Sequence, residues 1–267
     1  VKIHPTAIVE PGAQLGEDVE VGPYACISGE AEIGAHTIVR SHAVIEGAVR
    51  LGTANQIGQG AIIGSFPQDL GFKPGTSSWV EIGNGNVIRE HVTIHRGTAE
   101  SSATCIGNDN FLMAGAHLGH NCTIGNKVII ANNCLLGGYV TVEDNAFLGG
   151  GCVFHQFMRV GRLAITQGIS GFSKDIPPFV VAAGVNRVVG LNVVGLRRAS
   201  FSAEERAEIR AAFALLYESG LNVSQALIKV RERCWAAPAK AFFDFVAGAK
   251  RRGICGGPRT RSRRENK

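Results

Sequence analysis

Large aromatic side chains are scarce in this sequence. Phe, Trp and Tyr make up 7% of its 267 residues, and Trp and Met occur only twice each. A globular core for a chain of this length normally draws on such rings, so the shortage predicts a core of stacked aliphatics. Charged residues are also sparse, at 18%. The seven cysteines are odd in number and never form a Cys-x-x-Cys pair, which speaks against a disulfide framework or a zinc knuckle. No apolar run reaches the roughly 18 residues of a membrane span, and the first residues lack the build of a signal peptide. Together these features predict a reducing, cytoplasmic setting and no transmembrane segment. Glycine is plentiful instead, at 35 residues against 9 prolines. At that level without a collagen triplet, glycine marks a chain that turns often.

The formal charge of +5 is unevenly spread. The last 18 residues, KRRGICGGPRTRSRRENK, hold eight bases and one acid, which leaves the rest of the chain near −2. A basic tail can attract nucleic acid, but this one has no aromatic residue to stack on bases. The reading is no nucleic-acid partner and a disordered tail over 251–267.

What orders the sequence is a period of six. Large aliphatics recur without a miss from Ile3 through Val9, Leu15 and Val21 to Ile57 and Ile63. Four residues after each sits a small one, such as Ala7, Ala13, Ala25, Ala31 or Ala61, with Thr37 and Asn55 among the exceptions. The pattern lapses after Gly64, resumes at Ile82, Ile88 and Ile94, lapses again, and runs from Ile106 to Val160. Neither a 3.6 nor a 2.0 period gives this. A six-residue repeat is the signature of a parallel β-helix, in which three hexads make one triangular coil. Cys122, Cys134 and Cys152 fall in the small slot and read as buried hydrophobes, not reactive thiols.

The two lapses predict loops ejected from the coil at 65–79 and 99–105, and long loops on a rigid scaffold often carry function. The hexads stop near Pro177 and Pro178. Ser202 before AEERAEIRAAFALLYESG reads as a helix N-cap followed by early acids. NVSQALIKVRERCW and PAKAFFDFVAGAKRR read as two further helices. The fold class expected is all-β with an α tail: a β-helix over 1–184, a helical domain over 185–250, and the basic tail.

Residues 18 apart stack in one column of such a helix. His120, Gly138 and Gln156 share a column, His117 lies three residues before His120, and His155 adjoins Gln156. Three imidazoles and an amide thus gather around a glycine. Neutral imidazoles can bind zinc, but no further His sits at an offset that aims three rings at one point, and the reading is no metal. Acyl transfer fits better. A hydroxyl needs a base to become a nucleophile, and imidazole, with an unperturbed pKa of about 6.5, contributes on the order of 10²–10⁴ in rate. A glycine N–H one coil away suits the oxyanion of the tetrahedral intermediate.

IHPTAIVEPGAQLG, IGSFPQDL, VTIHRGT, AHLGHNCTIGN, VFHQF, DIPPFVVAAG and NVVGLRRASFS resemble the acyl-carrier-protein–UDP-N-acetylglucosamine O-acyltransferase family, from about residue 3 to about 245. The resemblance implies a left-handed β-helix and a homotrimer with active sites between subunits. It implies no bound cofactor, the donor being a 3-hydroxyacyl thioester on the phosphopantetheine of acyl carrier protein. The acceptor would be the glucosamine 3-hydroxyl of UDP-N-acetylglucosamine, in the first step of lipid A synthesis. Carried over residue by residue, His120 is the general base and Gly138 the oxyanion donor. Asp69 holds the sugar, and His117, His155 and Gln156 line the sugar-nucleotide and thioester region. Asn192 and Arg198 contact the nucleotide, and Gly168 marks the end of the acyl groove.

Several positions depart from that pattern. Asn121 follows the base where an acid is usual, and Tyr139 follows Gly138 in place of a His. Gly71 replaces a Lys, with Lys73 nearby, and Val194 replaces an acid. Arg197 and Arg198 leave the arginine register open by one. Another UDP-sugar or an amino-sugar acceptor therefore stays open, as does a non-catalytic β-helical trimer. Acyl carrier protein is acidic, so its docking surface should be basic, with Arg159, Arg162, Arg187, Arg197 and the tail as candidates.

Overall fold

The computed structural model describes residues 1–249 and 252–258. Most hexads fold as a two-residue strand followed by a four-residue corner. Three hexads close one coil, and each strand pairs in parallel with its counterparts in the coils on either side. Ile38, for example, lies opposite both Glu20 and Gln56. Face 1 is an eleven-stranded sheet beginning at Lys2–Ile3, face 2 a nine-stranded sheet beginning at Ile8–Val9, and face 3 an eight-stranded sheet beginning at Gln14–Leu15. The result is the left-handed parallel β-helix.

Alternation along each short strand sends the periodic aliphatic inward and its partner out. Ile94, Leu112, Leu118, Ile130 and Leu148 are fully buried, and each such side chain contributes about 1.5–3 kcal/mol over an exposed one. The small slot lies inside the corner, where Cys122, Cys134 and Cys152 are completely buried. Burial pushes the Cys122 thiol up to about 12, which keeps it protonated and inert. At the corner between faces 3 and 1 the slot is polar. Asn86 donates to Asn55 Oδ1 at 3.0 Å and Asn110 donates to Asn86 Oδ1 at 2.9 Å, so the buried amides satisfy one another.

Both loops leave at the corner between faces 2 and 3. The first spans 66–77, between strands Ile62–Ser65 and Ser78–Ile82. The second spans only 96–101, because Ser102–Ile106 is a strand paired along its whole length with Ser78–Ile82. The expected loop at 99–105 therefore shrinks and shifts: the ladder continues past the hexad frame.

Residues 187–191, placed with the helical domain by the expected boundary at 185, are a strand. Val180–Ala183 adds a strand to face 1 and forms an antiparallel hairpin with Arg187–Leu191, so the first helix, α1, is Val193–Arg198. Then follow α2 (Ala203–Tyr217), α3 (Val223–Lys229) and α4 (Ala237–Ala247). Ser202 caps α2 in a reciprocal capping box with Glu205. Ile209, Ala212, Phe213 and Leu216 form the buried stripe of α2, and with Phe242, Phe243 and Val246 of α4 they extend the core of the coil.

Part of the tail predicted as disordered is ordered. Ile254 and Gly256 bridge Asp175 and Arg187 as short parallel pairings, and Cys255 is fully buried. The Tyr217 hydroxyl donates to the Cys255 carbonyl at 3.1 Å. An Ile-Cys pair inside a basic run supplies enough apolar surface to dock, and composition hides it. Residues 250, 251 and 259–267 of that tail lie outside the described residues. Among the described residues no helix is long and apolar enough to cross a membrane.

Candidate active site

The corner between faces 2 and 3 builds the site, because successive hexads there present 119–122, 137–140 and 155–158 one above another. A cleft of about 360 Å³ opens on this edge, and His117, His120, Gly138, His155 and Gln156 all line it. The column arithmetic thus brings five of the expected residues together. Gln68 joins them from the first loop and His95 from the end of the strand Thr93–His95. A larger depression of about 540 Å³ lies at the N-terminal end. Its Lys2 and Glu20 pair with each other at 2.8 Å, and it holds none of the clustered imidazoles.

His120 Nδ1 lies 3.0 Å from Asn121 Oδ1. An amide oxygen only accepts, so Nδ1 carries the proton and Nε2 is left with its lone pair. Asn121 itself sits at φ 58°, a left-handed corner that Asn tolerates well. Gly138 lies against the imidazole: a Cβ there would come 2.5 Å from His120 Nε2. Only glycine fits. Its N–H has no hydrogen-bond partner among the described residues. The reason is positional. In other hexads the same slot holds Pro5, Pro11 or Pro23, so the ladder never uses this donor and the N–H is free for a ligand.

His117 is half-buried and bonded through Nδ1 to Thr93 Oγ1 at 2.8 Å. Burial, followed by the like charge of His95, pushes its pKa down to about 4. It is therefore a neutral hydrogen-bonding group at working pH. His95 Nδ1 bonds to the Phe66 carbonyl at 2.6 Å, tying the first loop to the site. Sequence columns missed His95 because the second loop lengthens the coil: Thr93 pairs with His117, 24 residues on, not 18. Among the described residues no three His, Cys, Asp or Glu are grouped to hold a metal ion.

A second, apolar cleft of about 370 Å³ continues from the first, sharing Phe154 and His155 and running past Val153, Gly171 and Val185. It has room for a chain-like apolar ligand beside His155.

Four expected residues do not line the first cleft. Asp69 accepts from the Gly71 N–H at 2.8 Å within its own loop. Gly168 stands at another corner, between faces 1 and 2, where an added Cβ would sit 3.1 Å from the Gly150 carbonyl. Arg198 is exposed at the end of α1. Asn192 is buried, accepting from the Gly195 N–H at 2.8 Å and donating to the Leu163 carbonyl at 2.9 Å. Its amide caps α1, so within one chain it is already used. Arg159 is likewise no free surface charge: it pairs with the buried Asp175 at 2.8 Å and stacks on Phe245.

The pattern described as UDP N-acetylglucosamine O-acyltransferase, domain 2, matches residues 175–255, and the bacterial transferase hexapeptide pattern matches 12–47 and 106–138. The acyl-carrier-protein–UDP-N-acetylglucosamine O-acyltransferase of Paraburkholderia phymatum is 49% identical over 94% of this chain and 98% of its own length. That of Paraburkholderia xenovorans is 50% identical over the same shares. The chain belongs to the acyl-carrier-protein–UDP-N-acetylglucosamine O-acyltransferase family. Solved members agree in fold. LpxA of Acinetobacter baumannii superposes with a TM-score of 0.91 at 37% identity, covering 95% of this chain and 99% of that one. The Bacteroides fragilis UDP-N-acetylglucosamine acyltransferase gives 0.90 at 42%, covering 94% and 99%. As a member of this acyltransferase family, the chain is an enzyme.

Proposed function

We propose that the enzyme transfers a 3-hydroxyacyl group from acyl carrier protein to the 3-hydroxyl of the glucosamine unit of UDP-N-acetylglucosamine, opening lipid A synthesis. The observation that carries this is the pairing of His120 with Asn121 at 3.0 Å beside the unpaired N–H of Gly138. Nε2 takes the proton of the sugar hydroxyl as the oxygen attacks the thioester carbonyl. The oxyanion is held by the Gly138 N–H, the C–S bond breaks, and the imidazolium returns the proton to the departing thiolate. The neutral His117, with His155 and Gln156, supplies hydrogen bonds to the sugar nucleotide and the thioester arm. The apolar cleft past Val153 and Gly171 takes the acyl chain. The donor arm is the carrier's phosphopantetheine, so the chain needs no resident cofactor.

We read the working form as a homotrimer. Asp69, Asn192, Arg198 and Gly168, which do not reach the cleft within one chain, would complete it from a neighbouring subunit. The carrier would dock by exposed bases such as Arg187 and Arg197. Seven free thiols are consistent with a reducing, cytoplasmic location.

The test is a product mass. Incubation with a mixed acyl-carrier pool and UDP-N-acetylglucosamine should give a singly O-acylated UDP-sugar. His120→Ala should lower kcat on the order of 10²–10⁴-fold with the melting temperature kept. Undiminished transfer by His120→Ala would sink the mechanism, and a product seen only with an amino-sugar acceptor would reassign the substrate.

A further inference from the structure

The second ejected loop, 96–101, contributes no side chain to the cleft, yet it touches the base through one intermediary. Asn121 Oδ1 receives three donors: the Thr98 N–H, the Thr98 hydroxyl and His120 Nδ1, each at 3.0 Å. The other end of the same amide, Nδ2, donates to Ser102 Oγ at 3.0 Å. The Ser102 hydroxyl gives its own hydrogen to the Ala99 carbonyl at 2.7 Å, so towards Asn121 it can only accept. The Thr98 hydroxyl is steadied in turn by Tyr139 Oη at 3.1 Å.

These partners matter because the two ends of an amide are nearly the same shape, and its orientation is set by its neighbours alone. Turned the other way, Asn121 would face the Thr98 N–H with a second donor and the Ser102 oxygen with a second acceptor. It would also point an N–H at His120 Nδ1. That would force the imidazole proton onto Nε2, the atom that must accept the substrate's proton. A carboxylate, which the family usually carries here, has two equivalent oxygens and no wrong way round.

We propose that Thr98, within the second loop, and Ser102, the first residue of the strand after it, are positioning residues that lock the Asn121 amide and through it the tautomer of His120. The proposal rests on His120 being the base. It gives the loop a purpose: this chain carries Asn at 121, so it needs partners on both ends of the amide that an acid would not need.

The experiment uses Thr98→Val, Ser102→Ala and the two combined, each in the wild-type and the Asn121→Asp background. In the wild-type background the combined variant should lose about 10–100-fold in kcat, within the range a general base supplies. KM for UDP-N-acetylglucosamine should stay within about twofold, since the nucleotide contacts are elsewhere. Adding Asn121→Asp to the combined variant should restore most of the lost rate, and Thr98→Ser should behave as wild type. Nitrogen-15 NMR of labelled histidine should show the His120 proton on Nδ1 in the wild type and a shift towards Nε2 in the combined variant. An equal loss in both backgrounds, or a proton that stays wholly on Nδ1 in the combined variant, overturns the lock. The NMR readout needs no turnover, so a failure of the base assignment would show separately, as transfer that survives His120→Ala.

Discussion

His117 and His120 are three residues apart and sit in different surroundings. His120 has an amide oxygen on Nδ1 and open cleft at Nε2. His117 is half-buried beside His95, with rings 5.2 Å apart, and its pKa is pushed down to about 4 by burial and then by that neighbour. The unfolded chain therefore binds a proton here at a higher pH than the folded one does. The stabilisation is fully present above the unfolded value near 6.5 and is lost as pH falls towards about 4. In His117→Gln, the urea midpoint should fall less between pH 7 and pH 4.5 than in wild type. An equal fall in both would show that another group sets the acid limb. Nothing in the sequence marks this difference in surroundings. Spacing put both imidazoles on one corner, whereas protonation depends on burial and on His95, which the longer coil carries into the site.

At the scale of elements, the VTIHRGT segment is the bracket between loop and coil. His95 holds the Phe66 carbonyl, and the Arg96 guanidinium lies 4.5 Å from the Phe66 ring and 6.0 Å from Phe72. Gly97 leaves room for Ser102, and Thr98 reaches Asn121. A cation–π contact contributes about 0.5–2 kcal/mol, depending on desolvation. Arg96 also has a buried Nε without a partner among the described residues, so its removal relieves a cost as well as losing a contact. Arg96→Ala should thus leave the melting temperature nearly unchanged while loosening loop 66–77. The expected result is faster tryptic cleavage at Lys73 and a KM for the sugar nucleotide raised about tenfold, equivalent to about 1.4 kcal/mol. Unaltered cleavage and KM would mean the loop is held by His95 alone. The sequence marked where these loops leave the coil but misjudged the second boundary, because residues 102 and 103 extend the ladder ahead of the hexad that Ile106 completes.

For the whole molecule, the outward side chains differ from face to face. Face 1 presents Val87, Phe111, Ile129, Phe147 and Ile165 along one ladder. Face 2 presents Leu135 and Val153, which are 43% and 49% exposed. Face 3 presents Glu32, Arg50, Glu81, Thr123 and Thr141. Two apolar faces meeting at one corner and a third that is polar suit a threefold arrangement in which face 1 of one subunit packs near face 2 of the next. Phe147→Asp should then convert trimer to monomer in light scattering and abolish transfer, although His120, Asn121 and Gly138 are untouched. A monomeric wild type, or a trimeric and active variant, would refute the arrangement.

The period of six determined the coil by itself, since an aliphatic every sixth residue has one way to be buried, and the coil length then put His120, Gly138 and Gln156 in one column. Tertiary structure decided what a fixed period cannot express. An inserted loop changes the coil from 18 to 24 residues and brings His95 to His117. An Ile-Cys pair in a basic run docks on the last coil. The orientation of a single amide, Asn121, depends on an acceptor 19 residues away in sequence and a donor 23 residues away. These are contacts between segments, and local composition carries no record of them.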